Sequence, residues 1–309
     1  MENEIKHIPV LLNEAVEYLV TDTSGIYVDA TLGLGGHSKK ILDEINNDGK
    51  LVGFEVDPKA ISISSSKLNK FKQFTIIKNN FDKIKVEIYG LGFNRVDGIL
   101  YDLGTSNLEL NDTERGFGFS NKGNLDMRMD PTLKNTAENI VNNYSLEKLR
   151  SIFFKYGEER MSKQIARAIV EEREKYTIDT TEKLAKIVGK FSNYKYRNKT
   201  LARIFQAIRI EVNNELNVLQ KSLTEAINLL KIGGRLVVIS YHSLEDRIVK
   251  NTIQEATKNC ICPPEIPVCV CDHKASLKKI NNKIITPTLS EIKKNPQSRS
   301  AKLRVAEKI

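Results

Sequence analysis

The N-terminal third of the chain alternates between short apolar runs and amphipathic helical patterns. Runs rich in Val, Ile, Leu and Phe predict strands at residues 26–30, 51–55, 74–78 and 96–102, and a further strand at 235–240. Between the first two runs, residues 36–45 place Ile41, Leu42 and Ile45 on one helical face. Strands that alternate with helices are typical of a parallel sheet with crossover helices. The pattern therefore predicts the α/β class.

The strand rhythm stops after Asp102. Residues 104–131 are rich in Gly, Asn and Asp, and helical spacing then predicts helices at 146–154, 164–174, 182–188 and 201–230. A last pair of strands is predicted at 283–286 and 302–306. We therefore predict a Rossmann-like domain formed by residues 1–112 and 201–309, interrupted by a helical insertion domain at 113–200.

The charge distribution favours an anionic partner. The chain has a formal net charge of +9, and its basic residues are concentrated from Lys274 to the C-terminus and in a zone at 190–209. That zone also contains Phe191, Tyr194 and Tyr196, and aromatic rings among cations are typical of surfaces that stack unpaired bases. Its basic residues are Lys190, Lys195, Arg197, Lys199, Arg203 and Arg209. A nucleic acid is the preferred partner, and a solvated basic surface is the alternative.

Several features point to the cytoplasm. The N-terminal residues lack the basic start and the apolar length of a signal peptide, and no segment approaches the ~20 apolar residues that a membrane span needs. We expect no membrane partner. The oligomeric state is not fixed by the sequence, and a homodimer stays open.

The four cysteines form a separate feature. Cys260, Cys262, Cys269 and Cys271 lie too close together to staple a chain of this size. Four thiolates in so short a span could hold zinc or an iron–sulfur cluster, although the Cys-x-Cys spacing is tighter than the common two-residue gap. Free thiols or a local redox pair are the alternative, so the metal is unknown at this point.

A glycine-rich turn follows the first predicted strand, in the string Asp29-Ala-Thr-Leu-Gly-Leu-Gly-Gly-His-Ser38. Such a turn lets a ligand approach the backbone at the positive end of a helix, in dinucleotide-binding proteins as well as in methyltransferases. Asp29 could balance a cationic cofactor, and Glu55, at the end of the second strand, could accept hydrogen bonds from both ribose hydroxyls. These carboxylates favour S-adenosylmethionine over a nicotinamide dinucleotide. An unliganded turn, with Glu55 in a solvated loop and Asp57 as a helix cap, is the alternative.

Polar residues also follow the fourth and fifth predicted strands. Asp102 could accept a hydrogen bond from an exocyclic base amine and orient it for methyl transfer. Alternatively, it ends the strand and binds the cofactor. Tyr241 could stack on an extruded base, and His242 could contact phosphate or take a proton. Ser243 with Asp246 capping the next helix is the alternative there.

Strings across the whole chain resemble the bacterial ribosomal RNA small-subunit methyltransferase H family, also called the MraW family. They include Asp97-Gly-Ile-Leu-Tyr-Asp-Leu-Gly104 and Glu114-Arg-Gly-Phe-Gly-Phe119. The other segments are 7–12, 33–38, 125–130, 156–160, 205–210, 241–250 and 295–300. The resemblance implies a class I methyltransferase fold and S-adenosylmethionine-dependent methylation of N4 of a cytidine in the decoding region of 16S ribosomal RNA. The partner would be 16S ribosomal RNA or the small ribosomal subunit.

The resemblance also implies roles for single residues. Gly35, Gly36 and His37 would contact the cofactor, with Glu55 at the ribose. Phe81 would lie against the adenine, and Asp102 and Glu109 would complete the pocket. The family pattern usually has Asp at the position of Glu55 and Gln at that of Glu109.

Three other readings of the sequence stay open. Arg128, in the 125–130 string, is a candidate phosphate contact, whereas the methionines of that string could seat the insertion on the core. A methyltransferase acting on a protein or a small molecule is one alternative function. An RNA-binding assembly factor that has lost its cofactor is the other.

Overall fold

The structure, a computed structural model, describes residues 8–309 except 121, 264, 266, 267 and 282. His7, in the first string of the family resemblance, lies outside the described residues. The chain divides into two compact units, one formed by the described residues up to Gly104 together with Leu216–Ile309, the other by Thr105–Glu215. The first unit contains the sheet, and the second is helical.

The elements alternate along the first unit as the sequence predicts. The strands are β1 (Ile26–Asp29), β2 (Lys50–Glu55), β3 (Phe74–Lys78), β4 (Val96–Asp102), β5 (Leu230–Ser240), β6 (Leu277–Lys279) and β7 (Lys302–Lys308). The helices that precede β4 are α1 (Leu12–Leu19), α2 (Gly36–Glu44), α3 (Pro58–Leu68) and α4 (Ile84–Gly90). The remaining helices are α5 (Asn107–Asn111), α6 (Ala137–Asn143), α7 (Leu146–Lys155), α8 (Ser162–Arg173), α9 (Thr181–Val188), α10 (Arg197–Asn213), α11 (Glu215–Leu229), α12 (Ser243–Ala256) and α13 (Leu289–Lys294).

The sheet has the order β3-β2-β1-β4-β5-β7-β6. Strands β1 to β5 pair in parallel, whereas β7 runs antiparallel to both β5 and β6. The strand order reverses between β1 and β4, and ligands of open α/β sheets bind at the carboxyl edge beside such a reversal. The predicted α/β class and Rossmann-like sheet with a helical insertion are confirmed.

Alternating side chains bury both faces of the sheet. Tyr27, Leu100 and Ile239 pack in one apolar cluster, and their neighbours in sequence pack in another cluster. Burial on both sides is typical of a parallel sheet covered by crossover helices. The carboxyl ends of β1, β2 and β4 are therefore held by a rigid core.

The second unit has its own apolar core, built from α6 to α10. The prediction of one helix over 201–230 is wrong, because Asn214 adopts a left-handed conformation with φ of 50° between α10 and α11. The two helices bury their apolar residues in different cores: Ile204 packs in the second unit, whereas Leu223 packs against the sheet. This division extends the helical unit beyond the predicted limits of 113–200.

The last strand pair also differs from the prediction. The strand β7 is found, but the segment predicted as its partner at 283–286 contributes a single bridge, from Ile285 to Leu303. The Asn281 side chain takes the place of a longer ladder, since it donates to the Leu303 carbonyl oxygen at 3.2 Å and accepts from the Val305 N–H at 2.8 Å. The strand β6 pairs with the end of β7 instead. Among the described residues, no helix combines the length and the apolar character that crossing a bilayer requires.

Candidate active site

The turn between β1 and α2 has two glycines at positions where other residues of the chain leave no room for a side chain. Gly35 has a φ of 76°, a left-handed conformation that glycine adopts without strain. A Cβ there would lie 3.0 Å from the Leu68 side chain, and a Cβ on Gly36 would overlap the Pro9 ring. Both positions therefore require glycine; Gly35 is the N-cap of α2 and Gly36 is the first residue of that helix.

Glu55 ties the end of β2 to this turn. Its Oε2 accepts a hydrogen bond from the Gly33 N–H at 2.9 Å. Its Oε1 accepts from the N–H groups of Val56 and Asp57 at 2.8 and 2.9 Å. Burial raises the pKa of Glu55, while these backbone donors oppose the shift. Each carboxylate oxygen has about two lone-pair sites, so Oε1 is fully used and Oε2 retains capacity to accept from one further hydroxyl.

Asp57 caps helix α3, which was the alternative to a role in ligand binding. Its Oδ1 accepts from the Lys59 N–H at 2.9 Å, and Pro58 occupies the first position of α3. Asp57 therefore orders the start of α3, next to Glu55.

Asp29, at the end of β1, is buried with 1% of its surface exposed. Its Oδ2 accepts from the Ser38 hydroxyl at 2.7 Å and its Oδ1 from the Thr31 N–H at 3.1 Å. Burial raises the pKa of Asp29, and the Ser38 hydrogen bond and the nearby His37 lower it. The hydrogen bonds hold the turn between β1 and α2 in one conformation.

Asp102, at the end of β4, lies beside the same turn. Its backbone N–H donates to Thr31 Oγ1 at 2.6 Å. Its Oδ1 accepts from the Tyr241 hydroxyl at 2.7 Å, and its Oδ2 lies 3.5 Å from His37 Nδ1. Burial raises the pKa of Asp102 to about 7, against the effect of the Tyr241 hydrogen bond. This carboxyl group therefore changes charge close to neutral pH.

His37 lies between the two aspartates. Its Nε2 is 3.1 Å from the Val10 carbonyl oxygen, which can only accept, so Nε2 carries a proton. Burial lowers the pKa of His37, and the charge of Asp29 opposes this effect. A neutral His37 leaves the buried carboxyl group of Asp29 and the partly buried one of Asp102, and among the described residues neither forms an ion pair with Lys or Arg. A site of this charge fits a cationic ligand.

The sequence did not reveal that Tyr241 is a hydrogen-bond donor to Asp102. Tyr241 leaves β5 at the same sheet edge, and its ring would contact a Cβ at Gly104, whose φ is 99°. Its backbone N–H donates to Glu245 Oε2 at 2.9 Å, which fixes its position. The sequence did contain a signal for this contact: Tyr241 follows β5, and Asp102 ends the neighbouring strand β4.

The alternative prediction for the start of α12 is wrong in detail. The N-cap is His242, which forms a capping box with Glu245, rather than Ser243 with Asp246. Asp246 accepts from Lys302 Nζ at 3.0 Å and from Arg304 Nε at 2.7 Å. These two C-terminal basic residues are therefore paired within the fold.

Phe81 begins a short 3-10 helix after β3. Its ring meets the Tyr101 ring edge to face, with centroids 5.6 Å apart. Its carbonyl oxygen accepts from the Ser222 hydroxyl at 2.8 Å. The ring is half-buried, and its contact with adenine stays a prediction.

Glu109 belongs to the second unit, where it caps α5. Its Oε2 accepts from the Ser106 N–H at 2.8 Å, and its own N–H donates to Ser106 Oγ at 3.2 Å. This reciprocal pair satisfies backbone donors at the helix start. The role of Glu109 in cofactor binding stays a prediction.

The second unit contains a cavity of about 510 Å³ in the predicted basic zone. Its lining includes Tyr194, Lys195, Arg197 and Asn198, and Tyr194 is 96% exposed. The rest of the zone is less available than expected. Phe191 packs against the unit's apolar core. Three of the basic residues form ion pairs within the unit: Arg209 with Glu215 at 2.7 and 2.8 Å, Arg203 with Glu159 at 3.4 Å and Lys190 with Glu172 at 3.2 Å.

The 125–130 segment contributes to the core of the second unit rather than to an exposed binding surface. Leu125 and Met127 are buried in that unit's core. The Arg128 guanidinium donates to Asp126 at 2.7 Å through Nε and Nη2, and to the carbonyl oxygens of Pro131 and Leu133 through Nη1. These contacts occupy the group that was a candidate phosphate contact.

Comparisons with known proteins identify the family of this chain. The model of the MraW methylase family matches residues 4–309. The protein named Ribosomal RNA small subunit methyltransferase H from Caldicellulosiruptor bescii is 48% identical over 305 residues, covering 98% of this chain and 99% of that protein. The protein of the same name from Halothermothrix orenii is 44% identical over 308 residues, covering 99% of both. Among solved structures, an rRNA methylase from Streptococcus thermophilus is 11% identical with a TM-score of 0.43, covering 96% of this chain and 93% of that chain. The chain belongs to the MraW methylase family.

Proposed function

We propose that this protein transfers a methyl group from S-adenosylmethionine to the N4 amine of a cytidine in the decoding region of 16S ribosomal RNA. Membership of a methylase family supports the reaction class. The names of relatives that are 48% and 44% identical over almost the whole chain support ribosomal RNA of the small subunit as the substrate. The cytidine and its N4 position rest on the resemblance in the sequence. A substrate of this kind is met in the cytoplasm.

The observation that carries the proposal is a pair of carboxyl groups, the buried Asp29 and the partly buried Asp102, beside a glycine-rich turn. When bound, S-adenosylmethionine supplies an electrophilic methyl group on a positively charged sulfur. The residues that would hold it are Gly35, Gly36, His37, Glu55, Phe81 and Asp102, with Glu109 as a further candidate. Burial raises the pKa of both carboxyl groups, and a bound cation would favour their ionised forms, because charges attract strongly where the local dielectric constant is low.

Asp102 has the chemistry to orient the incoming amine. The lone pair of an exocyclic amine is delocalised into the base, and a hydrogen bond to a carboxylate localises it. Asp102 would hold the amine through this hydrogen bond, and its carboxylate oxygen would accept the extra proton that the nitrogen carries once it is methylated. A pKa of about 7 suits this step, because the group is ionised before transfer and can hold a proton after it.

The second unit supplies the features that RNA binding needs. Its cavity of about 510 Å³ carries the exposed Tyr194 ring beside Lys195 and Arg197. A ring of this kind can stack on an unpaired base while the cations contact phosphate. We propose that this surface binds ribosomal RNA.

The proposal is tested by nucleoside mass spectrometry of 16S ribosomal RNA. Small subunits from cells that lack the protein are incubated with it and a donor carrying a deuterated methyl group. The expected product is labelled N4-methylcytidine, with Asp102→Asn as the impaired variant. Labelled 5-methylcytidine, or label in protein instead of RNA, would refute the assigned reaction.

A further inference from the structure

The loop between α12 and β6 brings the four cysteines together. The Sγ atoms of Cys260, Cys262, Cys269 and Cys271 all lie within 4.8 Å of one another. Cys269 Sγ is 3.6 Å from Cys271 Sγ, which in turn is 3.8 Å from Cys260 Sγ. All four are free thiols. Two Cys-x-Cys pairs from opposite sides of the loop therefore meet at one point.

These distances match a tetrahedral thiolate site. Zinc binds thiolate sulfur at about 2.3 Å, so the sulfurs of a ZnS₄ tetrahedron are about 3.8 Å apart. Two of the sulfur distances already have this length, and the limit of 4.8 Å leaves less than about 1 Å of adjustment for the others.

Backbone amides point at the sulfurs. The N–H groups of Ile261, Cys262 and Val270 donate to the Sγ atoms of Cys271, Cys260 and Cys262, each at 3.4 Å. Amide donors of this kind stabilise negative charge on sulfur and orient it, as outer hydrogen bonds do around metal ligands. The loop is thus folded around its thiols.

Apolar packing does not explain the conformation of the cysteine loop. Of the residues described between 257 and 276, none is buried. Ile261, Val268 and Val270 are 42%, 71% and 72% exposed. The loop's ends are closed by the Ser276 N–H, which donates to the Ala256 carbonyl oxygen at 2.8 Å. A segment without a core needs another source of stability, and a metal ion is a common one.

We propose that Cys260, Cys262, Cys269 and Cys271 bind one zinc ion. Binding displaces four thiol protons and forms four Zn–S bonds, with no change of oxidation state. Four soft sulfur ligands select zinc over calcium or magnesium. A closed set of four protein ligands leaves no open position for substrate, so the ion stabilises the loop and takes no part in methyl transfer.

The first experiment measures metal content in the full chain without an affinity tag, purified with a reductant. Inductively coupled plasma mass spectrometry is expected to find about one zinc per chain. The double variant Cys260→Ser with Cys271→Ser should lose it, whereas the matched controls Ile261→Ala and Val270→Ala, which change exposed residues of the same loop, should retain it.

A second measurement uses the wild-type chain, so that a folding defect of the variant does not decide the outcome. Cobalt(II) added after removal of zinc should give the intense sulfur-to-cobalt charge-transfer bands of a four-thiolate site, and one equivalent of zinc should abolish them. Removal of the ion should also loosen the loop and increase tryptic cleavage after Lys258 and Lys274, the exposed residues that flank the cluster. A chain without metal whose four thiols react freely with Ellman's reagent, a mass showing disulfides, or bound iron in place of zinc would overturn the proposal.

Discussion

The hydrogen bond from Tyr241 to Asp102 should set the pH at which the enzyme works. The donor and acceptor oxygens are 2.7 Å apart, and this bond favours the ionised form of a carboxyl group whose pKa burial raises to about 7. A hydrogen bond to a charged group contributes about 1.5–3 kcal/mol. One pH unit corresponds to about 1.4 kcal/mol, so Tyr241→Phe should move the midpoint of the pH–rate profile up by about one to two units.

The direction follows from the role of Asp102. Methyl transfer needs the carboxylate as an acceptor, so the single-turnover rate rises with pH through the pKa of Asp102 and becomes constant above it. At pH 7 the variant should be slower by about five- to fiftyfold, and most of the loss should disappear near pH 9.5.

The assay is a rapid-quench measurement of methyl transfer under saturating donor between pH 5.5 and 9.5. Tyr89→Phe is the matched control, since Tyr89 is 43% exposed on α4, and its profile should equal that of the wild type. A variant profile lowered by the same factor at every pH, with an unchanged midpoint, would refute the reasoning.

Three further predictions follow from the site and its surroundings. Because burial raises the pKa of Asp102 from 3.8 to about 7 in the folded state, the protein loses stability as the pH rises from 3.8 to about 7. Asp102→Asn should therefore unfold at a higher temperature than the wild type at pH 8, and calorimetry at pH 5 should show a smaller advantage. Gly35→Ala forces alanine into a left-handed conformation and against Leu68, so isothermal titration calorimetry should show about tenfold weaker binding of the donor. The control is Gly90→Ala, whose Cβ would meet no neighbour within 4 Å and which should bind the donor as the wild type does. Tyr194→Ala should weaken binding of 16S ribosomal RNA by about five- to hundredfold in a filter assay, and an equal loss with the control Tyr176→Ala, which changes another exposed tyrosine of the second unit, would contradict a stacking role.

The sheet was predictable because its strands are short, apolar and separated by helical patterns. The strands β3 and β4 have the predicted limits, and β1 and β2 differ from theirs by one residue. The polar residues at the ends of β1, β2 and β4 could be assigned to one sheet edge, because parallel strands bring their carboxyl ends together.

Tertiary contacts decided the features that the sequence did not predict. Helical spacing continues through Asn214, so only the packing of α10 and α11 into separate cores reveals the break. The Asn281 side chain replaced strand pairing beside β7, and a local pattern cannot show this substitution. The contact of Tyr241 with Asp102 joins residues 139 positions apart, beyond the reach of any local motif.

The central claim is that the donor binds in the first unit, at the loops after β1, β2 and β4, beside Asp102. A crystal structure of the protein with S-adenosylmethionine tests it most directly. We predict density for the donor against Gly35 and Gly36, with its ribose at Glu55 and its sulfur on the side of Asp102. Well-ordered crystals with these loops empty at saturating donor, or with the donor bound elsewhere, would contradict the account.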